Sequence, residues 1–453
     1  MRLAQTLALL SLALCLITTA RAEPDFIALK KAILIGTEAE RDAAAQTFIT
    51  RGDPDMIPSM VLLMRIGGAH ITTQRILKAL TGEDLPTWRD AMHYQEAHPE
   101  IQPHPSYYDL KLWYWSGIDP RFRSLFDRPI DPNDLRIRFE EITWGGARFD
   151  DIPALDNPAM LNASEASYLF DDDLVFGIEI NGDARAYPLR IMGWHEMLND
   201  TIGGVPVALA YCTLCGAGIL FETQTEGREP FIFGSSGLLY RSNKLMFDRQ
   251  TQSLWNQFTG EPVTGPLAHA GLKLIIRPIT ITAWAQWRAQ HPATTVLSLE
   301  TGHIRDYDPG VVYKDYFASP DLMFPAIADQ SRLQQKTKIY GIRAPGAAKA
   351  WPLNAFTHEP VINDQVGPTS IVLIGNPATE TIRAYDRGSH RFQGDATDLR
   401  TTAGRWQITE HALIGPNGEQ QPRLPGHVAY WFAWDGYLGI TSELYTPANA
   451  SHD

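Results

Sequence analysis

Two stretches of this chain repeat one another. Phe176 opens FGIEINGDARAYPL and Tyr340 opens YGIRAPGAAKAWPL, with half of the positions identical. Each is followed by a His-Glu pair (His195-Glu196, His358-Glu359), an Asn-Asp pair (Asn199-Asp200, Asn363-Asp364) and a glycine (Gly203, Gly367). The offset is constant except at His-Glu, which is displaced by one residue. Further on, Trp284-x-x-Trp287 returns as Trp431-x-x-Trp434. Recurrence at a fixed offset is the mark of a unit used twice. The expectation is two similar modules about a pseudo-twofold axis, with a cleft between them as a natural binding place.

The modules read as β-rich. LVFGIEI, ARAYPL, PVALAYC, GILFE, FIFGSS and LKLIIRP are short runs bounded by Gly, Asn, Asp and Pro. The 35 glycines and 31 prolines fit that turn-rich character. One amphipathic helix, ITAWAQWRAQHP, interrupts them. Residues 23 to about 95 are different: FIALKKAIL, AERDAAAQTFI, MIPSMVLLMRI and TTQRILKALTG carry apolar residues at helical spacing, with Asp53-Pro54-Asp55 as a break and cap. An aromatic segment, Tyr107 to Trp115, follows. The fold class is therefore α+β. A helical, HEAT-like N-terminal domain spans 23–134, the first module 135–305 and the second 306–447. The ordinary role of such helices is packing, or docking of a protein partner.

Residues 1–22 read as a signal peptide. Arg2 supplies the positive start, Leu7 to Ile17 an apolar stretch too short for a comfortable span, and Ala20-Arg21-Ala22 the cleavage site. Leu14 before Cys15 is too large for a lipid-attachment site. The mature chain is expected in the periplasm or secreted, and without a later run of about 18 apolar residues it has no membrane span. The formal net charge is −13, and cleavage removes Arg2 and Arg21 but no acid. Such a surface repels phosphate backbones, so nucleic acid is not an expected partner; a small molecule or a metal ion is.

Cleavage also removes Cys15, leaving Cys212 and Cys215 in PVALAYCTLCGAGILFE. The aligned stretch of the second module, TSIVLIGNPATETIRAYD, has no cysteine, so the first module is the expected site bearer. The Gly-Ala-Gly after Cys215 reads as a turn into another strand, which disfavours a thioredoxin-like helix start and favours a knuckle. Three readings stay open for the pair: a structural disulfide, a redox-active dithiol, or metal ligands joined by His195, for which copper(I) or zinc is the suitable ion. A fourth arrangement places Cys212 as nucleophile, His195 as base and Asp248 as orienter.

Other features have plainer expectations. The His-Glu pair, present in both modules, reads as structural, and Asn199-Asp200 reads as turn chemistry. Gly234-Ser235-Ser236-Gly237 matches no phosphate-binding pattern and reads as a tight loop. Asp248-Arg249 before Trp255 reads as an ion pair over a packed ring, and Asp171-Asp172-Asp173 as a solvated turn.

The block WHEMLND…GGVPVALAYCTLCGAGILFE…FGSSGLLYRSNKLMFDRQTQSLWNQFTGEPVTG, with EITWGGARFDDIPAL before it and SRLQQKTKIYGI after it, resembles the bacterial family called domain of unknown function 3179. The N-terminal helices fit the resemblance too. The family pattern has Tyr-Cys-Pro-Leu followed by Cys or Thr, where this chain has Tyr211-Cys212-Thr213-Leu214-Cys215. The resemblance thus implies that the second cysteine is not required across the family, and it brings no established activity. Two classes of function remain: a thiol- or metal-dependent protein working through Cys212 and Cys215, or a non-catalytic ligand-binding or structural protein stapled by them.

Overall fold

The computed structural model describes residues 24–67, 70–126, 135–438 and 441–447. The leader read at residues 1–22, Cys15 included, lies outside them. Among the described residues no helix is long and apolar enough to cross a membrane.

The N-terminal helices form as their periodicity and caps dictate. They are α1 (Phe26–Ile35), α2 (Glu38–Arg51), α3 (Ile57–Ile66), α4 (His70–Thr81), α5 (Trp88–Ala97) and α6 (Ser106–Ile118). Thr37 with Glu40 and Thr87 with Asp90 make reciprocal capping boxes at the starts of α2 and α5. Pro54 opens a short 3-10 turn that leads into α3. Ile57 through Met64 are all buried, so α3 is the axis on which α4, α5 and α6 pack. The aromatic segment Tyr107 to Trp115 lies on α6, with Trp115 stacked on Phe126 at 5.4 Å. The helical core does not stop at the helices. It runs into the first sheet, where Ile142, Leu238, Leu245 and Phe247 belong to the same apolar cluster. The helices therefore share a core with the β structure.

Among the described residues the β region holds five sheets. The first comprises Ile142–Trp144, Phe233–Tyr240, Asn243–Asp248, Leu254–Asn256 and Glu261–Pro262. The second runs Ile275–Arg277, Ala217–Glu222, Val205–Cys212, Met197–Ile202, Leu155–Asp156. The others repeat a theme. Leu174–Ile180 pairs with Asp183–Pro188 and Thr280–Ala283 antiparallel, and Thr295–Leu297 joins parallel to Asp183–Pro188. In the second half, Lys338–Ala344 pairs antiparallel with Ala347–Pro352 and His427–Tyr430, and Ser442–Leu444 joins parallel to Ala347–Pro352. A helix follows Thr280–Ala283 directly (α8, Trp284–Gln290, with α7 at Leu189–His195), and another follows His427–Tyr430 (α10, Trp431–Leu438, with α9 at Lys314–Ala318). A last, seven-stranded sheet is built wholly from the second half.

The side chains of the two halves correspond as well. A Cβ on Gly177 would stand 2.3 Å from the Trp287 ring, and one on Gly341 would stand 2.1 Å from Trp434; only glycine lets each indole lie on its strand. The indole nitrogens donate to Thr294 Oγ1 (2.9 Å) and Ser442 Oγ (2.7 Å). Asp200 accepts from Arg185 and Tyr187; Asp364 accepts from Lys349 and Trp351. Asn199 makes a two-way bond with the backbone of Phe233, and Asn363 does the same with Phe392. Asn199 and Asp200 thus lie within the strand Met197–Ile202, not in a turn, because their side chains tie that strand to its neighbours.

The two halves share one apolar cluster that includes Tyr211, Leu220, Tyr340 and Trp351. An open cleft of about 940 Å3 lies where they meet, between Gln290 and His291 on one side and Arg383 and Glu410 on the other. Glu410 is buried; burial pushes its carboxyl upward, but Arg383 and Arg423 outweigh that and hold it well below the usual range. With Thr280 also donating at 2.9 Å, these charges satisfy one another and form a junction.

Candidate functional site

The strand Val205–Cys212 turns through Thr213-Leu214-Cys215-Gly216 and returns as Ala217–Glu222, with Cys212 opposite Ala217. This is the knuckle expected from the sequence. Gly216 takes φ +60°, which closes the turn. Cys212 and Cys215 form a disulfide, with Cα atoms 5.2 Å apart, and both residues are buried. The turn is anchored from outside its own sheet: Tyr430 N–H donates to the Cys215 carbonyl (2.7 Å), and Tyr316 Oη donates to the Leu214 carbonyl (2.7 Å). The knuckle therefore joins the first half to α9 and to the second half.

His195 is the last residue of α7 and is buried. Its Nδ1 lies 2.8 Å from the Pro153 carbonyl, which can only accept, so Nδ1 carries the proton. Its Nε2 then accepts from Tyr307 Oη at 2.6 Å. Burial pushes the imidazole down to about 4, and the neighbouring His303 and Arg305 act in the same direction. Both ring nitrogens are thus engaged away from the sulfurs. Asp248 is engaged elsewhere too: it accepts from Thr251 N (2.5 Å), Thr251 Oγ1 (2.8 Å) and Trp255 Nε1 (2.8 Å). Neither the Cys212–His195–Asp248 arrangement nor the set Cys212, Cys215 and His195 is assembled. The sulfurs are bonded to each other, and among the described residues no group of three or more His, Cys, Asp or Glu side chains could hold a metal ion. Arg249 pairs with Asp156 (2.6 Å) rather than Asp248, so the acid over Trp255 is held by the indole itself.

What the structure does bring together is Glu196 and Lys244. Glu196 follows α7 with φ +56°, a left-handed conformation that directs its side chain inward. Lys244 Nζ lies 3.1 Å from Glu196 Oε2 and 3.2 Å from the Glu196 carbonyl. Thr213 Oγ1 donates to Glu196 Oε1 at 3.2 Å, Tyr313 Oη to the same oxygen at 3.4 Å, and Ser235 Oγ to Oε2 at 3.4 Å. Tyr313 too is left-handed, with φ +53°. Burial lowers the Lys244 ammonium, with Glu196 opposing it. The pair faces a cleft of about 660 Å3, whose walls include Leu214 of the knuckle, Leu238, Val312 and Trp194.

Sequence reasoning read Glu196 as structural because His-Glu occurs twice. The two pairs differ in setting: His358 and Glu359 are exposed, and Glu359 accepts from Tyr445 (2.8 Å). Lys244 was passed over. Its one signal is a cation inside the apolar run Asn243-Lys244-Leu245-Met246-Phe247, a place lysine occupies only when paired. Gly234 to Gly237, expected as a tight loop, lies in the strand Phe233–Tyr240. Gly237, at φ +76°, passes so close to Ala147 that a Cβ would stand 2.5 Å from its carbonyl oxygen. That close approach carries the Ala147 loop along the cleft.

Fold and site define an α+β protein whose first half carries a buried carboxylate–ammonium pair beside a disulfide-closed turn. The family model described as "Protein of unknown function (DUF3179)" matches residues 149–441, and the chain belongs to that family. The match takes in both halves of the β region and begins after the six helices. No curated protein and no solved structure matches the chain.

Proposed function

We propose that this chain is an exported small-ligand-binding protein whose site is the cleft over Glu196 and Lys244, and that the disulfide is a structural staple of the cleft wall. The observation that carries this reading is the convergence on one carboxylate of an ammonium and three hydroxyls from four separate segments, with Glu196 itself and one of its donors, Tyr313, in left-handed backbone. A pair needed only for packing does not call for left-handed backbone at Glu196 and again at Tyr313, whereas strain of this kind gathers at binding sites. The buried cysteines, the anchoring of their turn by Tyr316 and Tyr430, and the engagement of His195 by Pro153 and Tyr307 favour a staple over a dithiol or metal centre.

On the same reading the two halves are copies of one unit. The matched glycine–tryptophan contacts, Asp and Asn partners and mixed strand order support that origin. The second copy serves as scaffold, since its His-Glu faces solvent. The leader read at residues 1–22 and the disulfide are consistent with a periplasmic or secreted location.

The test is a thermal-shift screen of polar metabolites on the mature chain and on Val311→Trp, which fills the cleft mouth from an exposed position. Ligands that stabilise the wild type and not Val311→Trp support the cleft. Stabilisation equal in both places the binding elsewhere and overturns it.

A further inference from the structure

The Lys244 amine has chemistry that ion pairing does not use up. Glu196 Oε2 and the Glu196 carbonyl take two of its three hydrogens, at 3.1 and 3.2 Å. Among the described residues the third finds no acceptor, and the residue lines the cleft. Burial disfavours the charged form, which makes the neutral amine more accessible. A carboxylate stands in contact to take a proton. Ser235 and Tyr313 hold hydroxyls on that same carboxylate. Leu238, Val312 and Leu214 make the walls apolar, while Gly145 and Gly146 leave room for a small molecule. A desolvated lysine beside a base in an accessible cleft is the arrangement that carbonyl capture requires.

We infer that Lys244 captures a small 2-oxo acid as a Schiff base. This rests on the reading of the cleft as a ligand site. In the step, Glu196 takes a proton from the ammonium and the freed nitrogen pair attacks the ketone carbon. The C=O π pair moves to oxygen, which takes a proton from the attacking nitrogen to give the neutral carbinolamine. Loss of that oxygen as water, with the proton Glu196 had taken, leaves a protonated C=N bond. One ammonium and one carbonyl give one iminium and one water, and no oxidant or reductant takes part. Arg305, which also lines the cleft, offers a guanidinium for the carboxylate; this favours a 2-oxo acid over a plain aldehyde.

The experiment uses the mature chain, pyruvate as probe and cyanoborohydride to fix any imine, read by intact mass and peptide mapping. The expected result is one saturable adduct on Lys244, absent from Lys244→Met and formed about a hundredfold more slowly in Glu196→Gln. Acetaldehyde in place of pyruvate should label more weakly, and Arg305→Gln should remove the difference. Mapping the wild type alone also decides: labelling spread over surface lysines with no preference for Lys244 overturns the inference. If pyruvate stabilises the wild type but not Val311→Trp, yet leaves no adduct, capture is wrong and the cleft stands. If pyruvate neither labels Lys244 nor stabilises the wild type, capture is wrong, and the cleft is judged by its own screen.

Discussion

Lys244 Nζ is bonded to both the side chain and the backbone carbonyl of Glu196, so one ammonium fixes the carboxylate and the turn that presents it. Removing one charge from a buried pair strands the other, at a cost of about 3–5 kcal/mol. Lys244→Met should therefore be destabilised by that order in urea titration. The double variant Glu196→Gln/Lys244→Met should recover part of the loss. A single-variant cost below about 1 kcal/mol would mean that solvent already serves the pair.

His195 is neutral in the fold, with its affinity for protons lowered by burial to about 4 against an ordinary 6.5. Between those values the unfolded chain binds a proton that the folded chain does not. Stability contributed here is complete above about 6.5 and is lost as pH falls toward 4. The gap corresponds to about 3 kcal/mol. His195→Gln should flatten this part of the stability–pH curve, although losing the ring bonds lowers its plateau. An unchanged slope between pH 6.5 and 4 would show that the imidazole is protonated in the fold.

Glu96 shows the opposite sign. It lies on α5, buried, with Oε2 accepting from Ile327 N at 3.0 Å and Oε1 without a hydrogen-bond partner among the described residues. Burial, with Glu141 nearby, pushes its carboxyl up to about 8. The folded state keeps a proton there that the unfolded state gives up, so the contribution is present below about 4.5 and lost as pH rises through 8. Glu96→Gln, which never ionises, should be the more stable protein above pH 8, by on the order of 5 kcal/mol, and the difference should vanish below pH 4.5. Denaturant titrations of both proteins at pH 4 and 9 measure it.

Local pattern made part of this molecule legible. The helix periodicities gave α1 to α4, and the turn residues around Cys212 gave the knuckle; α5 and the capping boxes at Thr37 and Thr87 were not read. Gly177 and Gly341 stand at the same position of the sequence repeat, and each lies under an indole. The site was not legible, because its residues lie far apart in sequence. Nothing near Glu196 announces Lys244, 48 positions on, or Tyr313, 117 positions on. Asp248 and His195 misled for a complementary reason: both residue types do chemistry, but here Trp255 and Pro153 hold them. The cysteines drew attention by rarity, yet rarity does not separate a staple from a reactive pair. Burial and the bonds from Tyr316 and Tyr430 bear on that.

The staple itself closes a very short loop. In the chain-entropy description, a loop of about four residues is worth about 2 kcal/mol. Cys212→Ser/Cys215→Ser should therefore fold and lose about that much stability, with ligand binding in the cleft weakened through Leu214 and Thr213 but not abolished. A redox-active pair would behave otherwise: the wild type would reduce under mild dithiol buffers, and the variant would lose function outright. Thiol counting across a dithiol titration, alongside the denaturation curve, tells the two apart.

The contacts of Gly177 with Trp287 and of Gly341 with Trp434 allow the proposed kinship of the halves to be tested energetically. Each strand glycine lies under an indole that anchors the helix after the neighbouring strand, and each indole nitrogen is fixed by a hydroxyl. A methyl group at either glycine must push the ring off its strand and strain that hydrogen bond. Overpacking of this kind costs about 1–3 kcal/mol. Gly177→Ala and Gly341→Ala should thus lose similar stability, and the two losses should add in the double variant, because the contacts involve separate rings. If Gly341→Ala were tolerated while Gly177→Ala were not, the second half would be looser than its geometry suggests, and its role as a rigid scaffold for the Glu196–Lys244 cleft would have to be given up.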